Sequence, residues 1–243
     1  MKYTVEIIAF TIESCVVIEQ SGADRIELCD NPSDGGTTAS YGLIKAAREK
    51  VTIPLFPIIR PRGGDFLYSD DEFSIMKTDV RLCKELGCDG VVVGLLHKDG
   101  RIDVERTAQL VELAHPMDVT FHRAFDHCYD PFEALEQIIQ IGCKRILTSG
   151  QKPLATEGAE RIAELVKAAD GRIVIMPGSG VRPVNIGELA KQTGAMEFHA
   201  SLRSNARSKM EFRHPAFAGT DQGDSYMTTE ASAIKSLLHA LNG

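Results

Sequence analysis

The sequence predicts a TIM-type (β/α)8 barrel, an α/β fold, and three observations carry that expectation. Short apolar runs alternate with helical stretches eight times, counting a C-terminal helix near Glu230 to Leu241. Strand starts recur at about 28 residues per unit, the size of a βα repeat. The runs are continuously apolar, as expected of strands buried on both faces, and eight such units fit a chain of 243 residues. The competing arrangement, a doubly wound sheet, calls for a Gly-rich loop after strand one, where the chain reads Phe10-Thr11-Ile12-Glu13. No linker or composition shift interrupts the pattern, so residues 1–243 are expected to form a single domain.

Tyr3 to Ala9 is β-rich, and the helix Ile12 to Gln20 is closed by Gly22. Asp24 to Cys29 is the second strand, Asn31 to Gly36 a loop, and Ser40 to Lys50 a helix. Pro54 to Ile59 precedes a helix from Asp70 to Leu86, and Cys88 to Val93 one from Val104 to Ala114. Met117 to Phe121 is the fifth strand; Asp130 can cap the helix after it, with Pro131 in the first turn. Lys144 to Leu147 leads to a helix from Ala155 to Ala168, and Arg172 to Met176 to one from Asn185 to Gln192. Met196 to Phe198 is the eighth strand. Arg203 to Met227 breaks the rhythm and reads as a long structureless excursion, a lid, an interface or a mobile segment on the barrel side.

Hydrophobic residues make up 43% and charged residues 25%, values of a globular protein with a sizeable core. The formal net charge of −7 and the lack of a Lys/Arg block argue against nucleic acid and anionic membrane as partners. No window approaches the apolar length of a membrane span, and the N-terminal run is too short for a signal peptide, so a cytoplasmic protein is expected. Six cysteines without CxxC spacing are then expected as free thiols. A homodimer through outer helices is a plausible assembly.

The strand C-terminal ends of such a barrel share one mouth, where its active sites are built. Here they carry Glu27 and Cys29, Arg60 and Arg62, His122, Arg123 and Asp126, Ser149, Gly178-Ser179-Gly180, then Glu197, His199 and Ser201. Period-two alternation puts Thr120 with His122, and Glu197 with His199, on one face of each strand. A buried salt-bridge plug would use the same residue types. The small residues of Gly178-Ser179-Gly180, with Ser201 nearby, allow backbone amides to approach a phosphate, although a tight βα turn uses them as well. For a metal the chain offers Cys29, His122, His127, Cys128 and His199, in no recognised ligand spacing.

Ala23–Cys29 (ADRIELC), Ile59–Tyr68 (IRPRGGDFLY), Thr120–Asp126 (TFHRAFD), Arg145–Gly150 (RILTSG) and Ile175–Gly178 (IMPG) resemble the CutC family in sequence and order, from the first strand to about Ser204. The resemblance implies a TIM barrel, a cytoplasmic location and a copper-homeostasis role with copper as the bound metal. It also implies Cu(I) held by the cysteine that Cys29 matches, paired in some members with a first-strand cysteine. This chain has Ile8 at that position, and Gly178-Ser179-Gly180 where many relatives have three glycines.

Two functions follow. One is a Cu(I)-binding barrel with Cys29 as metal ligand. The other is an enzyme doing lyase or isomerase acid–base chemistry on a small anionic metabolite, phosphorylated or not. In it His122 is the general acid/base, oriented by Glu27 or Asp126. Arg60 and Arg62 clamp a carboxylate or developing negative charge, and the Gly178 loop holds phosphate.

Overall fold

Side-chain oxygens at the helix starts decide where the chain turns from loop to helix. In the computed structural model, which describes residues 2–217 and 225–242, Thr11 accepts a hydrogen bond from the Ser14 amide to open α1 (Ile12–Gln20). Ser40 does the same for α2 (Tyr41–Lys50), and Ser69 forms a reciprocal capping box with Glu72 at α3 (Asp70–Glu85). Asp103 and Asp130 cap α4 (Val104–Ala114) and α5 (Pro131–Ile141). The remaining outer helices are α6 (Ala159–Ala169), α7 (Ile186–Thr193) and α8 (Ala231–Asn242). The stretch from Ala155 to Gly158, expected as helix, stays in turns, so α6 starts later than its apolar pattern suggests.

The eight strands are β1 (Thr4–Ala9), β2 (Arg25–Leu28), β3 (Leu55–Pro57), β4 (Gly90–Val93), β5 (Asp118–Phe121), β6 (Arg145–Thr148), β7 (Val174–Pro177) and β8 (Glu197–Ala200). They form parallel ladders in the orders β3-β2-β1-β8 and β4-β5-β6-β7. A bridge between Ile58 and Val92 joins β3 to β4, and β7 lies beside β8. Pro54 and Pro57 lack amide donors, which keeps the β3 ladder short. The result is a TIM barrel.

Side chains from opposite walls meet inside it. Arg25 bonds Glu6 at 2.5 Å and Glu197 at 2.7 Å, and Arg145 reaches Glu197 and Asp118, each at 3.2 Å. Both guanidinium groups lie over the Phe56 ring, at 5.3 and 5.2 Å from its centre. Five strands therefore supply the charges of one ionic layer near the strand N-terminal ends and β3 adds the Phe56 ring, with each buried charge paired as burial requires. A Cβ on Gly90 would sit 2.1 Å from the Phe56 ring, so only glycine fits there. Above this layer Ile8, Cys29, Phe56, Ile58 and Val92 form an inner apolar cluster, while the larger core fills the space between sheet and helices.

The segment from Arg203 is not structureless. Arg203–Arg207 (β9) pairs antiparallel with Ser225–Thr229 (β10), Arg203 opposite Thr229 and Arg207 opposite Ser225. The expected excursion also covers residues 218–224, which lie outside the described residues.

Candidate functional site

At the C-terminal ends of the strands the interior opens into a cavity of about 730 Å3. Its wall includes Glu27, Arg60, His122, Arg123 and His199, five residues expected at the mouth from the sequence. Strand alternation delivers them: Glu27 stands beside Ile8 in the β1–β2 ladder, and His199 beside Glu6 in the β1–β8 ladder.

His122 follows the last residue of β5 and is buried. Its Nδ1 accepts the Ala124 amide at 3.1 Å, so the proton of the neutral ring resides on Nε2, which has no protein partner. The ring packs 5.0 Å from Phe66, and its near wall is Gly94, where a Cβ would lie 2.3 Å from the imidazole. Burial, aided by the neighbouring Arg60 charge, pushes the imidazolium down to about 3, so the ring is neutral at physiological pH.

Arg60 is also buried. Its Nη1 donates to the Asp34 and Gly36 carbonyls (2.6 and 2.8 Å) and its Nη2 to Gly64 (2.7 Å), tying together the loops after β2 and β3. Its Nε has no partner, and among the described residues it makes no ion pair. The guanidinium lies over Phe66 at 5.0 Å.

Glu27 stands on His199, with Oε2 3.7 Å from Nε2, while the other His199 nitrogen is 2.8 Å from Glu6. Burial, reinforced by the Glu6 charge, raises the Glu27 carboxyl to about 7 despite His199. Burial would raise Glu6 too, but Arg25 and His199 outweigh it and hold that carboxylate at about 2. His199 is raised: burial acts against the imidazolium, and Glu27 and Glu6 overcome it.

Several expected roles are corrected. Neither Glu27 nor Asp126 orients His122; the Ala124 amide does. Asp126 instead accepts from Thr148 Oγ1 (2.5 Å), the Ser149 and Gln151 amides and Arg123 Nε (2.8 Å), organising the loop after β6. Ser149 is fully buried against Asp126 and Arg123. Arg62 is spent on Glu72 (2.5 Å) and Asp65 (3.0 Å). Gly178 donates its amide to Thr148, and Ser179 its hydroxyl to Pro153. Among the described residues the cavity wall includes neither Arg62, Asp126 and Ser149 nor Gly178, Ser179, Gly180 and Ser201. Glu6 went unnoticed in the sequence, though an acidic residue at an inward position of an apolar strand was the available signal.

The donor set at the mouth does not fit Cu(I), which prefers thiolate and thioether ligands. Cys29 is fully buried, and burial with the Glu27 charge raises its thiol well above the ordinary range. It hydrogen-bonds Glu27 and packs among Ile8, Ile58 and Val92, with Ile8 where a second thiol is expected. Glu6, Glu27 and His199 do converge within 4.8 Å. They are two carboxylates and one imidazole, however, without the thiolate or thioether that Cu(I) prefers, and Glu6 already serves Arg25. Among the described residues no helix is long and apolar enough to cross a membrane.

The chain is 53% identical over 236 residues to a CutC family protein from Parabacteroides distasonis, covering 97% of this chain and 96% of that one. It is 48% identical over 216 residues to the copper homeostasis protein cutC homolog of Homo sapiens, covering 89% and 79%. The crystal structure of CutC from Streptococcus agalactiae superposes with a TM-score of 0.78 at 35% identity, over 82% of this chain and 98% of that one. The model of the CutC family matches residues 3–204, and the chain belongs to that family.

Proposed function

We propose that the barrel mouth binds a small anionic metabolite and performs acid–base chemistry on it. One observation carries this reading: a buried guanidinium that makes no ion pair among the described residues, and whose Nε has no partner, shares a cavity with an imidazole N–H that has no acceptor. An unpaired buried charge and a buried orphan donor each cost free energy, and an anionic oxygen placed between them offsets both.

The roles follow from protonation. His122 is neutral and presents Nε2–H, so it donates a hydrogen bond and does not take a proton. Arg60 supplies positive charge to the same oxygen, in the manner of an oxyanion site. Glu27, raised to about 7, is the group poised to remove a proton near neutrality. His199 and Glu6 stand behind it. Donors at an oxygen facing a carboxylate suit proton abstraction next to a carbonyl, the step shared by many isomerases and lyases. Lys98 lines the same wall, together with Asp34 and Asp65.

The human relative's name refers to copper homeostasis, and we carry that role to this chain as its physiological setting. The mouth is not assigned to copper, because Cys29 stands without a second soft donor. A thermal-shift screen with phosphorylated sugars and keto acids tests the anion reading. At least one such anion is expected to raise the melting temperature, and the shift should vanish in Arg60→Met; a panel without effect on the wild-type protein overturns it.

A further inference from the structure

The last turn of α3 brings two thiols together on the outer side of the barrel. Leu86 closes the helix and donates its amide to Leu82. Gly87 follows at φ +75°, a left-handed conformation natural to glycine, and donates to the Lys84 carbonyl at 3.1 Å. The Cys88 amide then reaches back to the Cys83 carbonyl at 3.0 Å. These two bonds define the Schellman ending of a helix, in which the side chains now occupied by Cys83 and Cys88 meet. Ordinarily that contact joins two hydrophobic residues. Here both partners are cysteines, buried beneath the exposed Gly87 and Asp89, with the thiol of Cys83 hydrogen-bonded to Cys88.

We infer that Cys83 and Cys88 form a two-coordinate Cu(I) site, separate from the barrel mouth. Two sulfurs on one rigid helix ending match the soft ligands that Cu(I) selects. Binding replaces two thiol protons by one cuprous ion, leaving a bis-thiolate complex of charge −1 and releasing two protons. Arg48 offers the counter-charge, since its guanidinium is anchored at the Val51 carbonyl and Asp89 and acts on Cys88. The other ionisable groups facing the pair are Asp79 and Asp89. The site gives this chain a pair of soft donors without asking Cys29 to bind metal alone. It does not depend on the anion reading of the mouth.

The test is an anaerobic titration of the reduced full chain with Cu(I) against bicinchoninate. One equivalent per chain is expected, retained in Cys29→Ala and lost in the double variant Cys83→Ala/Cys88→Ala. Retention in the double variant, loss in Cys29→Ala alone, or no stoichiometric uptake by the wild-type chain overturns the inference. Should the double variant fold poorly, X-ray absorption and alkylation mapping of the wild-type complex decide. Two sulfur ligands with Cys83 and Cys88 protected support the site, whereas nitrogen or oxygen ligation, or protection of another cysteine, refutes it.

Discussion

The Nδ1 of His199 lies 2.8 Å from the Oε1 of Glu6, across two strands whose ladder sets these residues side by side. This contact joins the ionic layer at the barrel floor to the groups at its mouth, because Glu6 also bonds Arg25 at 2.5 Å. Glu6→Gln removes the carboxylate from two buried cations at once. A loss of about 3–5 kcal/mol in unfolding free energy is expected at pH 7 from breaking such a buried pair. Urea denaturation measures it, and a loss below about 1 kcal/mol would mean that the floor does not depend on this charge.

The same groups set the pH profile of stability. Glu6 is held below its ordinary value, so its contribution is complete above about 4.3 and fades as the pH falls toward 2. Glu27 is raised to about 7, so the folded protein holds a proton that the unfolded chain releases near 4.3. Its effect has the opposite slope: stability is full below about 4.3 and declines as the pH rises toward 7. His199, raised above its ordinary value, contributes stability below about 6.5 and loses it only as the pH climbs through that raised value. Glu27→Gln is therefore expected to flatten the stability profile between pH 4.3 and 7. An unchanged slope in that window would remove Glu27 as the proton-carrying group.

Gly94 lies against the imidazole of His122, with room for a hydrogen and nothing larger. Gly94→Ala should cost about 1–3 kcal/mol through overpacking. It should also weaken anion binding, because the displaced ring no longer presents Nε2 to the cavity. Crystallography of the variant together with calorimetric titration checks both. An unmoved ring with full affinity would separate His122 from the ligand.

Asp126 was expected to act on His122 and instead holds the loop after β6 through side-chain and amide donors. Asp126→Asn is expected to destabilise the protein by roughly 3 kcal/mol, as for other breaks in a buried charged network. Anion affinity should change only a few-fold. Preserved stability with abolished binding would return Asp126 to the ligand site.

The barrel was legible because its signal is repetitive: most strands are short apolar runs and most helices carry a side-chain cap or a closing glycine. The convergence of Glu27, Arg60, His122 and His199 was legible too, since a barrel brings strand ends together whatever their separation in the chain. Roles within the site were not. Asp126 and Arg62 carry the right chemistry, but their partners Ser149 and Glu72 come from loop and helix geometry that residue type does not reveal. The neutrality of His122 arises from burial and from Arg60, and the unpaired state of Arg60 from loop carbonyls filling its fork. The β9–β10 ribbon escaped notice because β9 alternates half-buried and exposed residues, nearly all polar, and β10 offers only the adjacent Tyr226 and Met227 as large apolar side chains.

The central claim is that His122 stands neutral, with the proton on Nε2, ready to meet an anion beside Arg60. Nitrogen NMR of histidine-labelled protein, titrated with pH and then with a stabilising phosphorylated sugar or keto acid, tests it most directly. The account predicts a His122 ring that stays neutral from pH 8 down to about 3 and an Nε2–H resonance that moves when ligand is added. A ring that titrates near its ordinary value of about 6.5, or one that no anion perturbs, would contradict it.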